Sequence, residues 1–238
     1  MAVLSLILTL ALQSTPSPPD FEPLYRQALE QRQRTLGPGA PKTIESARDL
    51  ALYLASRGDY ARATPYLPQV LATAGTLEAA TVLHNWAVTL EERDPALAER
   101  LYRRALGLRA RHLPALDVEL AVTRLNLAGL LLARGDTEAR QHAAPALAVL
   151  EKQLGPMDAR TGAASGIMGA LLAIGGDIPG AERLFRRALT VAEKAHGSSA
   201  PETAAALENL ADLLAQTGRE LAASPLLQRA KQIRAGSR

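Results

Sequence analysis

The side chains that could do chemistry in this sequence are few, and their spacing argues against a catalytic centre. There is no cysteine, which removes disulfides, thiol nucleophiles, thiolate metal sites and a lipidated cysteine anchor. The four histidines are His84, His112, His142 and His196; no two stand four residues apart, and none has the spacing of a metal pair. His112 and His196 fall at expected helix ends, where a cation is favourable against the dipole. No G-x-S-x-G elbow or phosphate-binding loop is present, and Gly175-Gly176-Asp177 reads as a turn because no Lys-Ser/Thr follows. The expectation is a non-enzyme without cofactor, metal or small-molecule substrate. What does recur is the side-chain amide. Counting nine residues back from four turn glycines gives Asp49, Asn126, Ile167 and Asn209, and allowing for one shorter joint the equivalent in the second repeat is Asn85. An amide donates and accepts at once, so it can pair with a peptide unit of any sequence.

Those turns are Gly58-Asp59, Arg93-Asp94, Gly135-Asp136, Gly176-Asp177 and Gly218-Arg219, spaced by 35, 42, 41 and 42 residues. Glycine suits a helix C-terminus, and the following Asp can accept from open N–H groups at the next helix start. Each turn therefore reads as the joint of a helical hairpin. After each comes a small/large/small face: Ala63/Leu67/Val70, Ala98/Tyr102/Ala105, Ala139/Ala143/Ala146, Ala181/Phe185/Ala188 and Ala223/Leu227/Ala230. Offsets of four and three place each set on one helical face. Ala143 is small where the others place a larger residue, and the second joint lacks the glycine and is about one residue short. Hydrophobic content is 47% and aromatic content only 3%, so alanine and leucine, both helix formers, carry the core.

Leu127-Ala128 and Leu210-Ala211, the Gly-Asp turn and the Ala/aromatic/Ala triplet together resemble the tetratricopeptide repeat. The longer spacing, with its excess in connectors such as "LGPGAPKTIESA" and "HGSSAPETAAAL", resembles the long-repeat variant of kinesin light chains. The same composite occurs in many bacterial proteins, so it carries no implication of microtubule transport. The resemblance implies an all-α, right-handed superhelical solenoid of antiparallel hairpins over residues 21–236: a cap helix at 21–36, then five helix pairs. It also implies a protein-interaction scaffold whose concave face is lined by the first helix of each pair. Asparagines at the recurrent position would then hold the backbone of an extended peptide. The expected groove residues are Asn85, Asn126, Asn209, Asp49 and Ile167, flanked by Arg48, His84, Glu208 and Asp212. Leu125, Gly129, Ala163, Gly166 and Ala170 would form a small apolar floor, suited to one or two apolar side chains between charged flanks. Two other readings stay open: a structural subunit of a multiprotein assembly, or a regulatory module of a separately encoded enzyme.

Net charge is +3 with a sequence pI of about 9.4, but the basic residues are spread along the chain rather than clustered. Nucleic acid is therefore not an expected partner; a protein or peptide is. Residues 1–13 contain an apolar run from Ala2 to Leu12, too short to span a bilayer comfortably and followed by a Pro/Ser linker at 14–20. This fits a secretory signal and an exported, periplasmic or secreted chain. The alternative is a buried N-terminal helix in a cytoplasmic protein, and a membrane contact is expected only if the segment stays uncleaved.

Overall fold

The structure is a computed structural model that describes residues 20–236. The expected signal segment, and the linker except for Asp20, lie outside the described residues. Those residues are all-α, with no strand among them. No helix among them is long and apolar enough to cross a membrane. The chain divides into two compact units, the second beginning at Gly75.

The N-terminal unit contains α1 (Glu22–Leu36), α2 (Pro41–Ser56), α3 (Tyr60–Ala63), a 3-10 turn (Thr64–Tyr66) and α4 (Leu67–Thr73). Helix α1 packs on α2, and α2 on α3 and α4. Leu29, Leu50, Leu54, Ala63, Leu67 and Val70 are buried. Arg32 donates through Nη1 to Lys42 O (3.0 Å) and Ser46 Oγ (2.7 Å), tying α1 to the first turns of α2. The expected continuous helix after Gly58 is broken. Pro65 and Pro68 lack the N–H of a helix interior and clash with the carbonyl four residues back. The chain answers with a tighter turn in which Leu67 N donates to Thr64 O. The Ala63/Leu67/Val70 face is nonetheless buried.

The C-terminal unit holds four hairpins: α5 (Leu77–Leu90) with α6 (Pro95–His112), α7 (Val118–Ala133) with α8 (Ala139–Leu154), α9 (Ala159–Ile174) with α10 (Ile178–His196), and α11 (Pro201–Gln216) with α12 (Glu220–Gly236). Each second helix turns its expected small residues inward, and Ala98, Tyr102, Ala105, Ala139, Ala143, Ala146, Ala181, Phe185, Ala188, Ala223 and Ala230 are buried, while Leu227 is only half-buried. Phe185 packs with Leu210, Leu213 and Leu214, joining the third hairpin to the fourth. Leu150 and Val149 pack with Ala121, Leu125 and Ala164, joining the second to the third.

The turns close as the glycines require. At Gly135, Gly176 and Gly218 φ is 71°, 83° and 75°, and the next N–H reaches five residues back: Asp136 to Leu131 O, Asp177 to Leu172 O and Arg219 to Leu214 O, each 2.9 Å. The joint without glycine closes differently. Asp94 N reaches only four back, to Leu90 O at 2.8 Å, so the shorter turn needs no left-handed residue. Asp94 and Asp177 then accept from Leu97 N (3.0 Å) and Gly180 N (2.9 Å) at the next helix start.

Helix α9 contains three further glycines with different jobs. A Cβ on Gly162 would stand 2.5 Å from Val191 Cγ1, and one on Gly169 would meet the Phe185 ring at 3.0 Å. A Cβ on Gly166 would meet nothing closer than Ala188 Cβ at 3.9 Å. Gly162→Ala is therefore expected to destabilise the C-terminal unit by about 1–3 kcal/mol through overpacking. Gly166→Ala is expected to stabilise it by about 0.5–1 kcal/mol, the helix-interior gain of alanine over glycine. Chemical denaturation of the two variants reads the difference directly.

Candidate functional site

In the C-terminal unit the first helices α7, α9 and α11 approach one another directly, whereas the second helices of successive hairpins stand further apart. Long side chains span that wider side: Glu151 pairs with Arg187, and Glu193 with Arg229 at 2.5 Å. The tighter side is thus the first-helix face, and it carries a cleft of about 260 Å³ walled by α9, α10 and α11. Ala163, Gly166 and Ile167 form one wall, Ala188 and Ala192 the floor, and Ala205 and Ala206 the other wall. Asn209, Glu202 and His196 supply its polar groups.

The expected groove residues separate into distinct environments. Ile167 and Asn209 meet at this cleft, with Ala163 and Gly166 beside them. Asn209, Asn85 and Asp212 are exposed. Ile167 also leans on α7, since a Cβ on Gly129 would meet its Cδ1 at 3.3 Å; Gly129 is a packing residue. Ala170 packs against the Phe185 cluster, and Leu125 is buried. Glu208 is engaged by Arg234 (2.9 and 3.2 Å), which together with its hydrogen bonds holds the carboxyl below its ordinary range. Arg48 and Asp49 lie in the N-terminal unit and pair with each other on α2, at 2.7 and 2.9 Å.

His84 does not present itself on the groove. It is 8% exposed, held between α5, α6 and α7 in a polar network. Its Nδ1 lies 3.3 Å from Thr123 Oγ1 and its Nε2 lies 3.4 Å from Asn126 Nδ2. The Thr123 hydroxyl donates to Glu119 O (2.9 Å), so its oxygen accepts from Nδ1–H. Asn126 donates to Nε2, and the ring is the neutral Nδ1–H tautomer. Tyr102 packs edge-on against it with centroids 5.4 Å apart, hydrogen-bonds Asn126, and donates to Glu91. Burial first, then the Glu91 carboxylate, pushes the Tyr102 phenol up. Asn126 is thus committed to a buried network, unlike its exposed counterparts Asn85 and Asn209.

The anchor of that network, Arg109, was not legible as such. It is 2% exposed and donates through Nη1 to Glu119 O (2.7 Å) and Thr123 Oγ1 (2.5 Å), with Glu119 Oε2 at 3.2 Å from Nη2. The signal that could have revealed it is spacing. Arg32 reaches residues ten and fourteen positions later, Lys42 and Ser46; Arg109 reaches Glu119 and Thr123 at the same offsets. Burial, with the Arg109 charge nearby, lowers the His84 pKa from its ordinary 6.5 to about 4. Below pH 6.5 the unfolded chain therefore takes up a proton that the folded chain refuses, and stability falls until the pH passes about 4. The expected loss over that window is on the order of 3 kcal/mol. Thermal melts at stepped pH should show this acid limb in the parent and a flatter one in His84→Gln.

Among the described residues no group of three or more His, Asp or Glu could hold a metal ion. The tetratricopeptide repeat model matches residues 22–76 and 160–235, together more than half of the chain. No curated protein matches the sequence. Among solved structures, the chain is similar to BtubC (BKLC) from P. vanneervenii, with 19% identity, TM-score 0.61, and coverage of 91% of this chain and 90% of that one. It is also similar to the kinesin-light-chain-type, nearly identical TPR-like repeats of Podosopora anserina, with 20% identity, TM-score 0.55, and coverage of 84% and 99%. These likenesses are in fold, an all-α array of antiparallel hairpins in the manner of a repeat solenoid. The hairpins, their turn glycines and their alanine-lined faces, read with the match over both ends of the described chain, show that this chain belongs to the tetratricopeptide repeat family, whose fold is that of a generally non-catalytic protein-interaction scaffold.

Proposed function

We propose that this chain is a non-catalytic scaffold that holds an extended segment of a peptide or protein partner along the first-helix face of residues 75–236. The observation that carries the reading is the α9–α11 cleft, where Asn209 stands beside an apolar, small-residue floor. The Asn209 amide would donate to and accept from one peptide unit of the partner, independent of its sequence. The apolar floor would take a side chain and supply selection. Asn85 on α5, also exposed, would offer a second amide further along the unit. Asn126 serves this face indirectly, by holding His84 and Tyr102. The apolar Ala2–Leu12 run and the Pro/Ser stretch after it support export of the chain, so the partner is sought in the cell envelope or outside the cell.

The test is a pull-down from cell-envelope extract with the tagged chain, followed by calorimetry on the captured partner. Asn85→Ala with Asn209→Ala should weaken the partner about tenfold, the scale of one to two lost hydrogen bonds, with the helical circular dichroism unchanged. Undiminished affinity in a folded double variant would move the contact off this face.

A further inference from the structure

The α9–α11 cleft has a cause that can be traced through the repeats. Two positions fill each joint between hairpins: eight residues before the N-cap of the next first helix, and six after it. Counted from the N-caps Asp117, Asp158 and Ala200, the pairs are Arg109 with Thr123, Leu150 with Ala164, and Ala192 with Ala206. Arg109 and Leu150 are fully buried and fill their joints. Ala192 and Ala206 are too short to fill theirs, and both line the cleft. Its volume, about 260 Å³, is at the lower edge of small-molecule pockets and larger than the 150 Å³ that accommodates a benzene ring. It suits one apolar side chain better than a cofactor.

Helix α11 carries Glu202, Glu208 and Asp212 and no Lys or Arg. Arg234 neutralises Glu208. Among the described residues neither Glu202, on the cleft lining, nor Asp212, one turn beyond Asn209, has a basic partner within ion-pair reach. Arg160, the guanidinium on α9 beside the lining residue Ala159, is held by Asp158. His196 is the one base on the lining. Glu202 and Asp212 are ten residues apart, about 15 Å along the helix axis. That is the reach of about four to five residues of extended chain.

We propose that the α9–α11 cleft selects an extended segment in which one aliphatic side chain is flanked by two cationic residues four or five positions apart. The aliphatic group enters the space between Ala192 and Ala206, and the Lys or Arg residues meet Glu202 and Asp212. This rests on the groove reading above and adds the side-chain chemistry of the partner.

The test uses the full chain and three fluorescein-labelled hexapeptides: Lys-Ala-Leu-Ala-Ala-Lys, its Glu-flanked counterpart, and its Ser-for-Leu counterpart. Fluorescence anisotropy should show the Lys-flanked Leu peptide binding at least tenfold tighter than either counterpart, and weakening as salt rises. Glu202→Gln with Asp212→Asn should lose about tenfold for that peptide and remove its salt dependence. Gly166→Leu, which points into open space, should abolish binding; Ala163→Leu checks the same blockage should the first variant fold poorly. Equal or tighter binding of the Glu-flanked or Ser-centred peptide overturns the proposal, as does failure of all three to bind. The groove reading is judged separately: if the partner captured from extract is lost on Gly166→Leu, that reading stands although this chemistry falls. If the captured partner is indifferent to both blocking variants, the groove reading fails as well.

Discussion

The close approach of paired helices is the constraint on which this structure depends. Each second helix in residues 75–236 turns an alanine-rich face to its partner, and those alanines are buried without exception among the ones the repeat pattern picks out. Alanine costs no side-chain entropy on burial and lets two backbones come near. The larger residue between the alanines, Tyr102 or Phe185, then reaches across to the next repeat. At the third hairpin the approach is closer still, and Gly162 sits where Val191 leaves no room for a methyl group. A chain with so few aromatics builds its core from many small contacts of this kind rather than from a few large ones.

Close packing on the first-helix side fixes where the charges go. Long Arg and Glu side chains occupy the second helices and turns, where successive repeats stand further apart. Arg103 joins Glu138 at 2.8 Å, Arg219 joins Glu182 at 2.9 Å, and Arg134 joins Glu99. Each such exposed pair contributes little by itself. Their placement matters more than their energy, because it keeps these Arg–Glu pairs on the wider side. Arg109 is the exception, buried at a joint and satisfied by a carbonyl, a hydroxyl and a carboxylate, with its Nε left without a hydrogen bond. Such a guanidinium specifies one arrangement of the helices around it, since any other would leave a buried charge without its partners.

The joints also account for the difference between otherwise equivalent repeats. Where Arg109 or Leu150 is buried at the joint, the recurrent residue, Asn126 or Ile167, serves the interior or packs on a neighbour. Where Ala192 and Ala206 leave the space open, the same repeat position, Asn209, faces a cleft. The cleft therefore follows from what this joint lacks, and the cleft and the buried His84 network are alternative outcomes of one repeated geometry.

Local chemistry in the sequence determined the hairpins. The Gly-Asp turns, the four-and-three spacing of small and large residues, and the capping aspartates act within a few residues, so periodicity and turn chemistry expose them. The short second joint and the proline pairs act locally too; the missing glycine predicted a shortened turn, while Pro65 and Pro68 broke a helix that the apolar pattern alone would have continued. Ile167, Asn209, Ala163 and Gly166 could be read as groove residues because register carries them to one face. Only the tertiary structure decided that Asn126 and Asn209, identical in type and register, have different surroundings. The partners of Asn126 are His84, contributed from forty-two residues earlier, and Tyr102; Asn209 stands beside a space bounded by three helices. Burial of a polar group and the volume of a cleft are set by side chains distant in sequence, and repeat periodicity carries no information about how completely those side chains fill the space between helices.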